Sequence, residues 1–379
     1  MTEWQIFRLG KMVLTNQSTY SPKEDWQFVN YLDTGNITMN RIDEIQYINT
    51  STDKLPSRAR RKVKLNSIIY STVRPNQLHY GIIKEQPENF LVSTGFAVID
   101  VNFEKAVPDY IYYVLTQQEI IEHLQAIAEQ SVSAYPSIKP SDIENLELLL
   151  PDRKTQEKIV TILSSIDEKI KQNNEINNNL EQQAQVLYKE YFAPIDSKKQ
   201  NFGTLDMFCN IFTGKKNSNA STLDGKFKFF TCSPEPLQID SFIFDGNAII
   251  ISGNGAYTGR TRFYSGKFDL YQRTYACTLK DNFNPDYIFP LYWFVKLELS
   301  KKIMGGTRGS AIPYIVMNDL AKFEFEFDQN KFKSYMPLFK STTEIIQSNE
   351  NQNELLAQLR DSLLHCLMSG ELDISNIDI

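Results

Sequence analysis

The residues of this chain that could bind a charged ligand fall into two groups. In the first group, five positive side chains lie within the seven residues Arg58-Ala59-Arg60-Arg61-Lys62-Val63-Lys64, and Arg74, Asn76 and Gln77 follow. The second group lies later in the chain and comprises Lys215, Lys216, Asn254, Tyr257, Arg260, Arg262 and Arg308. Arginine and lysine neutralise phosphates, arginine can bond guanine through two donors, and asparagine or glutamine can bond adenine in the same way. These residue types therefore predict contact with nucleic acid at two places.

The overall charge of the chain argues against this prediction, whereas its distribution supports it. The formal net charge is −6 at pH 7 and the isoelectric point is near 5.4, although phosphate neutralisation needs a basic face. Because each half of the chain has its own basic clusters, we expect two DNA-facing surfaces. The alternative is that residues 58–64 form a solvated charged loop.

The glycine-rich segment Gly253-Asn254-Gly255-Ala256-Tyr257-Thr258-Gly259 offers a different chemistry. It follows a strand-like stretch and could hold the phosphates of a nucleotide or S-adenosylmethionine. A dinucleotide loop must open a helix whose N-terminus meets the phosphate, but the residues that follow here, 260–264, are strand-like. We therefore predict a tight turn that presents Asn254, Tyr257, Arg260 and Arg262, and an enzyme that uses this loop is the alternative.

No set of residues predicts catalysis or a metal site. Asp152 and Asp167 formally match a nuclease motif, but 15 residues of helix (167 − 152) would separate them by about 22 Å, too far to share one ion. Walker A, G-x-S-x-G and methyltransferase motifs do not occur. The three histidines are isolated, and the four cysteines contain no C-x-x-C pair. We expect no catalytic residue, no bound metal and no cofactor in this chain.

An internal repeat indicates how the two groups are held. Pro108-Asp109-Tyr110-Ile111 returns as Pro285-Asp286-Tyr287-Ile288, and Ser133-Ala134-Tyr135-Pro136 returns as Ser310-Ala311-Ile312-Pro313. Both pairs have one offset (285 − 108 = 310 − 133 = 177). A period this long exceeds the roughly 20–50 residues of solenoid repeats, so each copy can bury its own core. Two similar domains suggest two similar ligands.

Two segments of different composition predict long helices. Residues 152–192 are rich in Gln, Asn, Glu and Lys, lack glycine, and are bounded by Pro151 and Pro194. Heptad series run through 159/166/173/180/187 and 163/170/177/184/191 in this segment, and through 338/345/352/359/366 and 342/349/356/363 near the C-terminus.

These two helices are expected to pair. Because the first helix delivers the chain to the second domain, the second helix can pair with it only by running back, so the pair is predicted to be an antiparallel coiled coil. The central heptad positions are polar. We expect Asn173 and Asn177 to lie close to Asn349 and Gln352 in a polar layer that fixes the register.

The predicted fold class is α/β (α+β), with two similar domains related by a pseudo-two-fold repeat. Strands are predicted at 65–71, 90–101, 146–150, 227–232, 247–252 and 323–327, and helices at 110–128 and 285–304. The predicted division is a first domain at 1–150, a spacer helix at 151–194, a second domain at 195–335 and a second spacer helix at 336–379.

The composition is that of a globular protein. Apolar residues make up 41% of the 379 residues, enough for cores in two or three domains. The N-terminal residues have no apolar signal region, and no run of about 18 apolar residues occurs. We expect a cytoplasmic protein with no membrane partner.

Several stretches resemble the specificity subunits of type I restriction-modification systems. Residues 159–170 and 178–188 are similar to the central conserved region of that family, and residues 355–364 and 367–372 to its C-terminal conserved region. Residues 56–61, 71–75 and 93–96 resemble its target-recognition domains.

The resemblance implies a non-catalytic subunit. Each target-recognition domain would read one half of a bipartite DNA site, and the helix pair would set the unread gap. The implied partners are double-stranded DNA, two methyltransferase subunits that bring S-adenosylmethionine for adenine methylation, and restriction/translocase subunits that cleave. A specificity subunit of a related methylation system is an alternative.

Overall fold

The computed structural model describes residues 4–131, 135–191, 202–304, 314–372 and 374. Contacts divide the chain into a first unit, residues 1–168 with 356–379, and a second unit, residues 169–355. Both divisions fall inside long helices, so each unit contains one globular half of the chain and part of each helix.

The first unit contains two four-stranded sheets and two strand pairs. The sheets have the orders β2-β11-β8-β9 and β6-β3-β10-β7, and the pairs are β1-β12 and β4-β5. The strands are β1 (Gln5–Arg8), β2 (Val13–Thr15), β3 (Phe28–Leu32), β4 (Ile37–Thr38), β5 (Arg41–Ile42), β6 (Gln46–Asn49), β7 (Ala59–Lys62), β8 (Ile68–Ser71), β9 (Tyr80–Ile82), β10 (Phe90–Ser93), β11 (Phe96–Val101) and β12 (Glu147–Leu150). The strand predicted over 90–101 is thus two strands with a turn at Thr94 and Gly95.

Three short helices cover the first of these sheets: α1 (Pro108–Leu115), α2 (Gln118–Glu129) and α3 (Pro140–Glu144). Pro108 begins α1, where its missing N–H costs no helical hydrogen bond. Tyr110 and Leu115 of α1 are fully buried against Ile68 and Ile99. The single helix predicted over 110–128 is wrong, because the chain leaves the helical path at Thr116 and Gln117.

The second unit is built on one six-stranded sheet with the order β14-β19-β17-β18-β15-β16, and on the pair β13-β20. Trp293 and Phe294 of α6 are buried in its aromatic core. The elements are β13 (Phe202–Thr204), α5 (Leu205–Phe208), β14 (Cys209–Thr213), β15 (Phe227–Phe230), β16 (Leu237–Ile239), β17 (Phe244–Ser252), β18 (Thr261–Leu270), β19 (Thr274–Leu279), α6 (Ile288–Met304), α7 (Met317–Ala321) and β20 (Glu324–Glu326).

The two units repeat one topology. The order β2-β11-β8-β9 of the first unit corresponds to β14-β19-β17-β18 of the second. In both orders the strand that comes first in the sequence lies at the edge, and the strand that comes last in the sequence lies beside it. In both units these neighbours are antiparallel. The predictions of two similar domains and of a mixed helix and strand fold are confirmed.

Two long helices complete the chain, α4 (Arg153–Tyr191) and α8 (Gln329–Ser369). In the first unit Asp167 of α4 pairs with Arg360 of α8, and in the second unit Asn177 of α4 bonds Asn349. Within the second unit Asn173 also bonds Gln352, so a later position on α4 meets an earlier position on α8 there, and the predicted antiparallel pairing is confirmed. Helix α8 begins seven residues before the predicted boundary at 336 (336 − 329 = 7).

One predicted heptad series of α8 is wrong by one residue. Leu338, Ile345 and Leu359 are 42%, 45% and 49% exposed, whereas their C-terminal neighbours Phe339 and Ile346 are 1% and 7% exposed. The reason is the aromatic core of the second unit, where the ring of Phe339 lies 6.2 Å from that of Trp293. Burying a phenylalanine ring is worth more than burying a leucine side chain at a helix edge, so the aromatic residue decides which face turns inward.

Neighbouring substitutions on α8 test this register. We expect Phe339→Ala to lower the free energy of unfolding by about 3–5 kcal/mol, because it empties a fully packed site. Leu338→Ala, at the adjacent exposed position, should cost less than about 1 kcal/mol. Urea unfolding of the full chain measures both, and a larger loss for Leu338→Ala would contradict the register.

Candidate nucleic-acid interface

In the first unit the fold brings the loops of Arg58 and Arg74 to one place. The N–H of Thr94 donates to the carbonyl of Arg58 at 2.8 Å, and the N–H of Thr72 donates to the carbonyl of Gly95 at 2.8 Å. Both loops therefore adjoin the Thr94–Gly95 turn between β10 and β11. We call this region the first loop cluster, defined by Arg58, residues 72–77 and residues 94–95.

Arg74 is held in a defined orientation within the first loop cluster. Its backbone is left-handed, with φ of 49°, and its N–H donates to the carbonyl of Pro136 at 3.0 Å. Its guanidinium lies over the ring of Tyr135, 5.4 Å from the centroid. Asn76 and Gln77 are exposed in the 3₁₀ turn that follows. This loop thus presents one guanidinium and two amides to solvent.

Three further basic residues of the first group, Arg60, Arg61 and Lys62, lie on β7 and are less available. Lys62 forms an ion pair with Glu24 and lies 5.1 Å from the centre of the Trp26 ring. Its hydrogen bond holds the pKa of Glu24 below the ordinary value. Arg60 and Arg61 are partly buried, and Nε of Arg61 has no hydrogen-bond partner among the described residues. Lys62 is therefore engaged within the fold.

In the second unit the glycine-rich segment is the turn between the antiparallel strands β17 and β18. The N–H of Gly259 donates to the carbonyl of Ser252 at 2.8 Å, and the N–H of Ser252 donates to that of Arg260 at 2.9 Å. Gly255 and Gly259 have φ of 82° and 85°, which favours glycine. A strand follows, as predicted, and the absence of a helix at this position argues against a nucleotide loop.

This turn presents a second set of side chains, which with Arg273 we call the second loop cluster. The guanidinium of Arg260 lies 5.5 Å from the centroid of Tyr257, which is 45% exposed. Arg262 is half-buried and donates to the carbonyl of Ser233 at 3.1 Å. Burial, and then the charge of Arg260, lower the pKa of Arg262.

Arg273 was not among the predicted site residues. It is exposed, and its carbonyl accepts the N–H of Gly253 at 2.8 Å, which places it beside the turn. Gly253, to which it is hydrogen-bonded, lies 20 positions earlier in the sequence (273 − 253), so sequence spacing did not indicate that Arg273 lies beside the turn.

Three further residues of the predicted site differ in their exposure and pairing. Lys216 is paired with Asp269 at 2.8 Å, and Asp269 is only 4% exposed, so Lys216 stabilises the fold. Lys215 is exposed. Arg308 lies outside the described residues.

The two loop clusters occupy equivalent places in the repeat. Val73 forms an isolated bridge with Ser137, and Asn254 forms one with Tyr314, where 137 + 177 = 314. Beside these bridges, the N–H of Ile138 donates to Thr72 at 2.9 Å and that of Ile315 to Gly253 at 2.8 Å. Each unit therefore fixes its loop after the corresponding strand, β8 or β17, in the same way. Each loop also carries an arginine stacked over a tyrosine.

The predicted polar layer is a hydrogen-bonded amide network in the second unit. Asn173 is 1% exposed, and its Nδ2 donates to Oε1 of Gln352 and to Oδ1 of Asn353, both at 2.8 Å. Asn349 donates to Oδ1 of Asn177 at 2.8 Å. Asn353 was missed by the sequence analysis, and it also donates to Asn174 at 2.9 Å.

Two bonds of the amide network mirror each other under an offset of 176, one residue less than the 177 of the domain repeat. Asn173 and Asn177 of α4 correspond to Asn349 and Asn353 of α8 (349 − 173 = 353 − 177 = 176). The bond from Asn349 to Asn177 then corresponds to the bond from Asn173 to Asn353, and both are 2.8 Å long. An Asn-x-x-x-Asn spacing in both helices was the signal that could have identified Asn353.

Other kinds of site were sought in the part of the chain that the structure describes. That part contains no group of three or more His, Cys, Asp or Glu residues that could hold a metal ion. Within the same ranges, no helix combines the length and apolar content needed to cross a bilayer.

Comparison with known sequences gives a consistent result. Residues 1–182 and 198–353 match the family model described as Type I restriction modification DNA specificity domain. The chain is 32% identical over 196 residues to the type I restriction enzyme HindI specificity subunit of Haemophilus influenzae, covering 52% of this chain and 42% of that one. It is 32% identical over 187 residues to the type I restriction enzyme EcoDI specificity subunit of Escherichia coli, covering 47% of this chain and 39% of that one. The matched segments are thus less than half of each relative.

Comparison with solved structures supports the fold. The type I restriction-modification system S subunit from M. genitalium aligns over 97% of this chain and 96% of that chain, with a TM-score of 0.59 and 15% identity. At this identity the likeness concerns the architecture alone.

A double-mutant cycle tests the amide network. We expect Asn173→Ala and Asn353→Ala each to cost about 1–3 kcal/mol, because each removes the hydrogen bond between the two amides, one of which, Asn173, is buried. The double variant should show a coupling of about 0.5–3 kcal/mol. Asn351→Ala, at an exposed position of the same helix, is the control and should change stability by less than about 0.5 kcal/mol. Additive losses for Asn173 and Asn353 in urea unfolding would show that the network is not cooperative.

Proposed function

Because the chain belongs to the family of type I restriction modification DNA specificity domains, we propose that it is the subunit that selects the DNA sequence on which such a system acts. The observation that carries this proposal is the repeated loop geometry. Each unit anchors the loop after β8 or β17 through an equivalent bridge, and each of these loops carries an exposed arginine that lies over a tyrosine ring. Each unit then reads one half of a bipartite site on double-stranded DNA.

The stacked arginines suit both tasks of a DNA-reading loop. A guanidinium is a planar fork that fits the N7 and O6 acceptors of guanine or a phosphate. Resting over a tyrosine ring restricts its rotamers before binding, so less conformational entropy is lost in the complex. Asn76, Gln77 and Asn254 add amides that can pair with adenine.

The helix pair serves as the spacer between the two half-sites. Its register is set by the amide network, because a slipped register would leave Asn173 buried against apolar residues without a hydrogen bond. An unsatisfied buried amide costs about 1–3 kcal/mol, which is enough to disfavour the slipped forms. The length of the unread gap in the DNA then follows from the lengths of α4 and α8.

Partner subunits supply the chemistry in this proposal. Two methyltransferase subunits bind S-adenosylmethionine and methylate adenine, and restriction/translocase subunits cleave, while this chain holds no catalytic residue and no cofactor of its own. The site of action is the cytoplasm, where the chromosome lies. The net charge of −6 is compatible with this role, since the partners also contact phosphates.

The division of labour can be tested with the purified chain. Incubated alone with labelled S-adenosylmethionine and host DNA, it should transfer no methyl group, and addition of the methyltransferase subunits should start methylation. Methyl transfer or cleavage by the chain alone would contradict the proposal.

Substitution of the stacked arginines tests the DNA-facing assignment. We expect Arg74→Ala and Arg260→Ala each to weaken specific DNA binding by the assembled methyltransferase. Loss of an arginine that reads a base should cost about 1–3 kcal/mol of binding free energy at one position of the site. Loss of an arginine that contacts a phosphate should lower the salt dependence of binding by about one in slope.

Two kinds of control belong with this experiment. Lys322→Ala removes an exposed charge that belongs to neither loop cluster and should leave affinity unchanged. Lys62→Ala and Lys216→Ala should lower stability while leaving the salt slope unchanged, because both ammonium groups are already paired. Wild-type affinity in both arginine variants would show that the loop clusters do not face DNA.

A further inference from the structure

The first unit contains a cavity of about 270 Å³ that the DNA-reading proposal does not use. Tyr80, Tyr112 and Tyr113 line it on one side, and Arg360 and Asp361 of α8 line it on the other. Aromatic faces on one side and charged groups on the other are typical of a site for a small polar ligand.

The charges in the cavity are unbalanced. Asp167 and Arg360 neutralise each other, with the guanidinium donating to the carboxylate at 3.0 Å, and Tyr113 donates to the same carboxylate at 2.7 Å. Asp361 accepts a second bond from Arg360 at 2.8 Å, and Glu119 also lines the cavity. Three carboxylates thus face one guanidinium and the imidazole of His365, whose Nδ1 lies 3.7 Å from Glu119. A ligand with positive charge would restore the balance.

Two tyrosine hydroxyl groups at this cavity have no hydrogen-bond partner among the described residues. Tyr80 and Tyr112 are 4% and 8% exposed, and among the described residues neither hydroxyl has a hydrogen-bond partner. Their rings lie 6.3 Å apart at 69°. Neither hydroxyl oxygen is one of the buried atoms that lack a partner. Both therefore reach the solvent of the cavity and are available to a ligand that can donate hydrogen bonds.

The second unit shows what such a site holds. There Nζ of Lys296 lies 5.7 Å from the Tyr292 ring and 5.2 Å from the Trp293 ring, and it pairs with Glu181 at 2.5 Å. The chain's own ammonium group thus lies over two aromatic rings beside a carboxylate. The repeat offset aligns Glu119 with Lys296 (119 + 177 = 296), whereas Tyr292 and Trp293 align with Leu115 and Thr116, so the two places share their chemistry but not their aromatic positions. Where the second unit supplies a cation, the first unit has a carboxylate and an open cavity.

We propose that this cavity binds an organic cation with an ammonium or guanidinium group. The cation lies against the faces of Tyr80 and Tyr112, where cation–π attraction is strongest when water is excluded, and its N–H groups donate to Asp361 and to the free hydroxyls. Such a group could belong to a free diamine or to a lysine or arginine side chain of a partner protein.

Calorimetric titration of the full chain with agmatine, which has both groups, tests the proposal. We expect saturable binding that Asp361→Asn weakens at least tenfold and Tyr112→Phe weakens several-fold. The matched control Glu104→Gln removes an exposed carboxylate of the same unit and should bind agmatine like the wild type. Butylurea, a neutral probe of similar shape, should not bind. Thermal unfolding of each variant checks that the fold is retained.

Absence of saturable agmatine binding, or equal binding by Asp361→Asn, would overturn the proposal. A second arm distinguishes the sources of the cation. Agmatine binding that persists after assembly with the methyltransferase subunits identifies a free cation, and binding that is lost on assembly identifies a partner side chain. Only this second arm rests on the proposed function, because the titration of the chain alone does not depend on it.

Discussion

The amide network between α4 and α8 is the interaction on which the rest of this architecture depends. Each helix contributes to both hydrophobic cores: Leu163 of α4 packs in the first and Ala184 in the second. A helix pair with only apolar contacts could slip by a turn or more at modest cost. Asn173 is 1% exposed and bonded to two amides, so one register of the helix pair is more stable than the neighbouring registers. That register also determines which residues each helix contributes to each core.

The two units show how one scaffold can present different reading surfaces. The strand order and the bridge that anchors the reading loop are the same in both. The loops differ, since the first is a 3₁₀ turn after a left-handed arginine and the second is a glycine-rich hairpin. Variation confined to loops on a fixed scaffold is the usual way in which a fold acquires new specificity.

Much of this architecture was predictable because its signals are local or periodic. The repeat, the two long helices, their antiparallel pairing and the tight turn after Ser252 all follow from spacing. What could not be predicted depends on contacts between distant residues. The partners of Lys62 and Lys216 lie 38 and 53 positions away, so their ion pairs are invisible in the sequence. The inward face of α8 was predicted one residue off, because Phe339 packs in a core that includes the aromatic residues of α6.

The central claim is that the helix pair sets the spacing between two independent readers, and it can be tested by mapping methylated adenines in the host genome. One heptad would be inserted into α4 after Glu168 and one into α8 after Leu355, where the two contact units divide, so that the internal contacts of each unit are kept. The added length is about 10 Å, which corresponds to at most about three base pairs of B-DNA. We expect both half-sites to stay the same while the gap between them lengthens. An unchanged gap, or altered half-sites, would contradict it.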